Sequence, residues 1–137
     1  MRTLPFVIAL LVAIALPSTA ASQQSPAPGA PPPAIKRTPL QKADVPAGTF
    51  EVITGTAEIA ANTNIGRHSH PGIETGYVLE GELTLLVEGQ PPLSLKPGDS
   101  YKVPERAIHD ARSGDKPAKV LAVYVVEKGK PLATAAE

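Results

Sequence analysis

The sequence predicts an all-β domain, a sandwich or barrel of short strands for which a double-sheet jelly roll is one solution. Three observations predict it. Apolar and polar residues alternate over short stretches. Glycine- and proline-bearing turns separate those stretches at close intervals. No stretch repeats apolar residues at i, i+3, i+4 and i+7 for the length of a helix. With 137 residues and no internal repeat, the chain has room for one small domain and its extensions.

The extensions come first. Arg2 follows Met1, Leu4 to Leu16 is almost wholly apolar, and Pro17-Ser18-Thr19-Ala20-Ala21 closes with small residues. This is the order of a secretory signal peptide, expected over residues 1–21 and cleaved after Ala20 or Ala21. A membrane anchor is the alternative, but the apolar run falls short of the roughly 20 residues that cross a bilayer. The mature protein is therefore expected to be exported, periplasmic or extracellular, with no stable membrane insertion. Residues 22–36 read as a Pro/Ala-rich linker, too poor in large apolar side chains to bury anything. A proline-recognition ligand is the functional alternative for this stretch. The folded domain is expected over residues 37–128, and 129–137 as a loose tail.

Within the domain, Thr49 to Ala60 alternates. Thr75 to Leu79 and Leu83 to Val87 are expected to pair across Glu80-Gly81, and Leu93-Ser94-Leu95 follows a Pro-Pro turn. Ser100 to Val103, Ala107 to Ala111 and Ala118 to Val126 complete the strands, with turns at Pro71-Gly72, Glu88-Gly89-Gln90-Pro91, Pro97-Gly98-Asp99 and Ser113-Gly114-Asp115.

Composition narrows the chemistry. The absence of cysteine removes disulfides, thiolate metal sites and a cysteine nucleophile. Thirteen basic against thirteen acidic residues, without a basic run, leave no electrostatic footprint for nucleic acid.

The informative residues are the three histidines. His68 and His70 stand two apart, which in an extended segment aims both imidazoles at one face. Glu74 follows across Pro71-Gly72, where the chain can bend and return its carboxylate toward them, and His109 lies in a later strand. Taken singly, each histidine reads as an ordinary core or surface residue. Together, nitrogen and oxygen donors without sulfur suit one divalent transition metal, and Mn, Fe, Ni, Co, Cu and Zn all accept them. Four protein ligands on a six-coordinate ion leave two positions for substrate or water.

The segment Gly66-Arg67-His68-Ser69-His70-Pro71-Gly72-Ile73-Glu74, continued to Gly81, resembles the first motif of the cupin superfamily: His-x-His, three or four residues, Glu, six residues, Gly. Gly98 to Pro104, with His109 beyond, resembles the second: Gly, five residues, Pro, x, Gly, two residues, His, three residues, Asn. The spacing between the motifs resembles that of small single-domain microbial cupins. The resemblance implies a double-stranded β-helix, the jelly-roll barrel of that family, with His68, His70, Glu74 and His109 as metal ligands. Three positions depart from the pattern: Asn62 and Arg106 stand where the family has Gly, and Ser113 where it has Asn. Asn62 tolerates positive φ. Arg106 either faces an anionic substrate or sits in solvent.

The remaining motif residues carry structure. Gly81 and Gly98 sit in tight turns, Pro104 fixes the approach to the His109 strand, and Asp110 is expected on the face opposite His109. Tyr77 and Tyr101 are candidates for a pocket wall or a proton donor, though strand tyrosines more often pack.

The resemblance implies a metal-dependent oxygenase or lyase acting on a small oxygen-rich molecule, like the quercetin dioxygenase-like cupins, with Glu74 as ligand or, swung off, as base. Scarce aromatics leave few surfaces to stack a flavonoid, so a small carboxylate or keto acid fits more easily. The alternatives are a non-catalytic cupin that binds metal or a small ligand, and a purely structural barrel, against which the intact ligand set speaks. A homodimer through an edge segment such as Leu40 to Val52 is a further expectation.

Overall fold

A computed structural model describes residues 33–46 and 48–137. The expected signal peptide and most of the linker lie outside the described residues. Ten strands follow in chain order: β1 (Ile35–Asp44), β2 (Phe50–Ile59), β3 (His68–Ser69), β4 (Gly72–Glu80), β5 (Leu83–Val87), β6 (Leu93–Leu95), β7 (Ser100–Val103), β8 (His109–Ser113), β9 (Ala118–Glu127) and β10 (Thr134–Ala135). The described residues contain no helix. The strands form two antiparallel five-stranded sheets, ordered β1-β2-β9-β4-β7 and β10-β3-β8-β5-β6. This is the all-β jelly-roll architecture that the alternating pattern predicts.

The alternation places the core. On β4, Gly72, Glu74, Gly76 and Val78 are buried while Ile73, Thr75, Tyr77 and Leu79 face outward. On β5, Leu83, Leu85 and Val87 turn inward, and with Ile59, Leu95, Val103, Ala118 and Val120 they form the apolar layer between the sheets. Burying such side chains contributes about 1.5–3 kcal/mol each.

Four expectations are corrected. Thr75–Leu79 and Leu83–Val87 do not pair. β4 bonds to β7 and β9, and β5 to β6 and β8, because Gly81, at φ 70°, carries the chain from one sheet to the other. A Cβ at Gly81 would meet the Pro117 carbonyl, so only glycine fits this crossing. The domain begins at Ile35, inside the expected linker, since β1 pairs with β2 from Ile35↔Ile59 to Asp44↔Glu51.

The segment 129–137 is no loose tail. β10 pairs with β3, Arg67 Nε donates to the Glu137 carbonyl at 2.8 Å, and the Ala136 N–H donates to the Arg67 carbonyl at 3.0 Å. The strand expected at Ala107 starts instead at His109, because Arg106 turns the chain at φ 58° and its N–H donates to the His70 carbonyl at 3.0 Å.

Candidate metal centre

Strand register brings the histidines together. His68 lies directly opposite His109 across the β3–β8 pair, and their ring centroids are 4.2 Å apart. His70, just past β3, adds a third ring 4.9 Å from His68 and 5.1 Å from His109. Glu74 reaches in from β4 of the facing sheet. All four predicted ligands thus converge, with one donor atom from each lying within 4.8 Å of the others. His70, Glu74 and His109 are only 5%, 6% and 4% exposed, and His68 is half-buried.

Hydrogen bonds on the far side of each ring decide its orientation. His68 Nδ1 lies 2.7 Å from the Gly66 carbonyl, His70 Nδ1 2.6 Å from that of Leu132, and His109 Nδ1 3.0 Å from that of Ala107. A carbonyl only accepts, so each Nδ1 carries the hydrogen and each neutral ring presents a bare Nε2 lone pair. His70 Nε2 and His109 Nε2 stand 2.9 and 3.4 Å from Glu74 Oε2. His70 Nε2 is nevertheless buried without a hydrogen-bond partner. Such an atom is costly unless something else satisfies it. Three imidazole Nε2 atoms beside a carboxylate fit a divalent cation, and their outer hydrogen bonds are the kind that fix metal-ligating imidazoles.

Charge follows the same logic. Burial by itself raises the Glu74 pKa, but in the metal-free site His109 and His70, when their Nε2 atoms are protonated, and the Tyr101 hydroxyl donate to the carboxylate, outweigh burial and hold it at about 2. Burial lowers the His68 pKa, which keeps that ring neutral. Burial pulls the His109 pKa down too, yet its hydrogen bond to Glu74 leaves it above the ordinary value.

Tyr101 enters the site and Tyr77 does not. The Tyr101 hydroxyl donates to Glu74 Oε1 at 2.8 Å, while Tyr77 is 46% exposed on the outer face of β4. Gly76, directly opposite Tyr101 in the β4–β7 pair, makes this possible: a Cβ there would run into the Tyr101 ring. Burial and the Glu74 charge push the Tyr101 pKa far up, so the hydroxyl stays protonated as a donor.

The motif departures have local answers. Asn62 adopts φ 53°, as its tolerance of that region allows, and Arg106 takes φ 58° at its own turn. Arg106 sits in solvent, its guanidinium 2.7 Å from Glu127 and 3.2 Å from Glu105. The Ser113 hydroxyl donates to the Ala60 carbonyl at 2.6 Å and accepts from the Thr63 N–H at 2.9 Å, anchoring the loop before the histidines. Asp110, expected on the face opposite His109, is half-buried, because its carboxylate accepts the Gly66 N–H at 2.8 Å and steadies the segment leading to His68.

Beside the donors lies a cavity of about 540 Å³, lined among others by Arg37, Ala57, Leu85, Ala111, Tyr124 and Leu132. Sequence reasoning missed three of these. Tyr124 stands edge-on to His70 at 4.9 Å, Arg37 comes from the unforeseen β1, and the Leu132 carbonyl belongs to the segment taken for a tail. The period-two pattern of β9, already seen, could have aimed Tyr124 inward with Val120 and Ala122.

The family model described as Cupin domain matches residues 55–124. The chain is a cupin. The metal-binding cluster sits where the two sheets of this cupin face each other. Over 57 residues the cupin is 39% identical to the dimethylsulfoniopropionate lyase DddQ of Ruegeria pomeroyi, a match that covers 42% of this chain and 28% of that protein. The crystal structure of the same lyase superposes with a TM-score of 0.58 at 27% identity, covering 62% of this chain and 43% of the other. This chain therefore spans less than half the length of that relative. An oxalate oxidase in complex with the substrate analogue glycolate gives a TM-score of 0.60 at 20% identity, over 76% and 56% of the two chains. A cupin superfamily protein of Desulfitobacterium hafniense gives 0.58 at 20%, over 68% and 78%. The last two likenesses speak to the fold alone, and the relatives of this cupin include enzymes.

Proposed function

We propose that this cupin is an exported, metal-dependent enzyme of the lyase type that acts on a small, oxygen-rich molecule. One observation carries the reading: three imidazoles, each with Nδ1 engaged by a carbonyl, turn their Nε2 atoms and Glu74 toward one cavity. A divalent metal held by His68, His70, Glu74 and His109 would supply Lewis-acid activation of a substrate oxygen. Glu74, held at about 2, is a weak base and acts as an anionic donor, kept in place by Tyr101. Tyr124 presents to the cavity a hydroxyl that makes no hydrogen bond among the described residues, and it is placed to give or hold a proton on the substrate. Leu85, Val120 and Ala111 keep part of the wall apolar and limit water.

Lyase chemistry is supported over flavonol oxygenation by the named activity of the 39%-identical relative and by a wall with only two aromatic residues besides the histidines, Tyr101 and Tyr124. One observation favours the rival reading of a binding protein without turnover. Burial pushes both tyrosine pKa values well up, which suits hydrogen-bond donation more than proton abstraction.

Reconstitution with Mn, Fe, Ni, Co, Cu and Zn in turn, followed by element analysis, should give one metal per chain in the parent and none in His70→Ala or His109→Ala. Equal metal content in parent and variants would remove the site. The loaded protein, offered dimethylsulfoniopropionate, oxalate, 2-keto acids, catechols and flavonols, should release product from at least one small acid. Binding without turnover across the panel would favour the rival reading. Export is supported by the order of residues 1–21, and an intact mass beginning at Ala21 or Ser22 in the exported fraction tests it. A membrane-bound form retaining Met1 would refute it.

A further inference from the structure

Among the described residues, the cavity wall carries one cation whose charge is uncommitted. Arg37 of β1 lies opposite Ala57 of β2, Ala57 opposite Val120 of β9, and Val120 opposite Val78 of β4. Residues in one such row share a face of the sheet, and Val78 is wholly buried, so Arg37 stands on the inner face and lines the cavity while remaining exposed to solvent. Among the described residues the cavity wall contains one other basic residue, Arg67, and it is engaged. Its Nη2 lies 3.2 Å from Glu88, and its Nε donates to the Glu137 carbonyl at 2.8 Å. Arg37 has no carboxylate or hydrogen-bond partner among the described residues.

Small residues beside it, Ala57 on its own sheet and Ala111 on the other, leave the space in front of it open. Its charge reaches Tyr124: burial and the Glu74 charge push the Tyr124 pKa up, and Arg37 pulls against them. Arg37 stands outside residues 55–124, the stretch shared with the family, as do Leu132, Ala133 and Ala135 on the cavity wall. What this wall selects is thus written partly in residues outside that stretch.

We propose that Arg37 is the specificity-determining residue of the cavity, its guanidinium holding the carboxylate of a small organic acid alongside the Tyr124 hydroxyl. The planar guanidinium fork matches a carboxylate in two parallel hydrogen bonds, and the phenol supplies a third donor. A ligand so held has its remaining oxygen atoms free to face the histidine cluster. The inference rests on the functional reading above, because it names the substrate class of the same site.

Calorimetric titration of the metal-loaded parent, Arg37→Gln, Arg37→Lys and Tyr124→Phe with pyruvate, succinate and catechol tests it. Catechol offers adjacent oxygen donors but no carboxylate. Arg37→Gln should weaken pyruvate or succinate by about tenfold or more while leaving catechol affinity and metal content unchanged. Arg37→Lys, which keeps the charge and loses the fork, should fall between, and Tyr124→Phe should weaken the acids less than Arg37→Gln. Acid affinities in Arg37→Gln within twofold of the parent, an equal loss for catechol, or no binding of either acid by the parent would overturn the proposal. The same acids added to metal-free protein should raise its Tm in the parent and not in Arg37→Gln. A parent that takes up no metal yet shows this Arg37-dependent rise would sink the metal-enzyme reading and keep the anion site.

Discussion

Val78 and Glu74 sit four residues apart on the inner face of β4, and opposite kinds of physics hold the two ends of that face. Around Val78 the layer is apolar and closed, with Ile59, Leu83, Leu95, Ala118 and Val120 packed against it. Around Glu74 the strand carries Gly76, neighbouring strands contribute Ala57, Ala111 and Tyr124, and the space stays hollow. The first end gains its stability from apolar area removed from water. The second spends hydrogen bonds to Gly66, Ala107 and Leu132 on orienting three rings, one of which, His70, keeps a buried Nε2 without a partner. A single β-strand can thus carry both a stabilising half and a reactive half, provided the reactive half is braced from behind.

The contrast breaks most visibly at the closed end. Ile59→Ala should cost about 2–5 kcal/mol, and by the same amount in metal-free and metal-loaded protein. Urea denaturation of both forms checks this, and a simultaneous collapse of metal affinity would show that the two ends are not independent. At the open end, a chain stopped after Lys130 loses the Leu132 carbonyl and β10. It should bind metal roughly 10–100-fold more weakly while keeping its β-sheet circular dichroism. Competition against a chromophoric chelator measures the loss, and unchanged affinity would deny the Leu132 carbonyl its bracing role.

A smaller effect is expected at Tyr101. Tyr101→Phe removes one donor from a buried carboxylate, so the metal-free protein should lose about 1–2 kcal/mol while metal uptake persists. Gly76→Ala, which displaces the same ring, should reproduce that loss.

The mildest probe is pH. In the metal-free protein, Glu74 is depressed from 4.5 to about 2, so its contribution is present above 4.5 and lost as pH falls toward 2. His109 is raised above 6.5, so its contribution is complete below 6.5 and lost as pH rises through its folded value. His68 is lowered from 6.5 by burial, so it costs stability as pH falls below that value, and metal-free stability should therefore peak near 6.5. Metal requires bare imidazole nitrogens, and loading should move the optimum to higher pH. Thermal melts across this range, with and without chelator, make the test. An optimum that stays put on loading would mean the histidines are not the ligands.

The sequence showed the ligands more clearly than what braces them. His68, His70, Glu74 and His109 are side chains whose chemistry and spacing are visible in one dimension, and Gly81 and Gly98 mark turns at φ 70° and 96°. The Leu132 carbonyl has no such signature, since every residue carries one. β1 escaped notice because it is mostly exposed, carries Pro39 and shifts register between Pro39 and Gln41, so it shows no alternation to read. The division of strands between sheets was misjudged at Glu80-Gly81 for a related reason. Two alternating strands beside a glycine turn look the same whether they pair or cross, and only packing against Pro117 and Ala118 decides.

The tail that braces His70 also bears on time. β10 is two residues long and paired on one side only, to β3, and so belongs among the segments that open locally long before a domain unfolds. Each such opening would take the Leu132 carbonyl from His70 and let one ring turn away, while Glu74 and His109 stay on β4 and β8, which are paired on both sides. Exchange of an ion held by these four residues would then be paced by the lifetime of a two-residue strand, and a centre with high affinity at equilibrium could still trade its ion quickly.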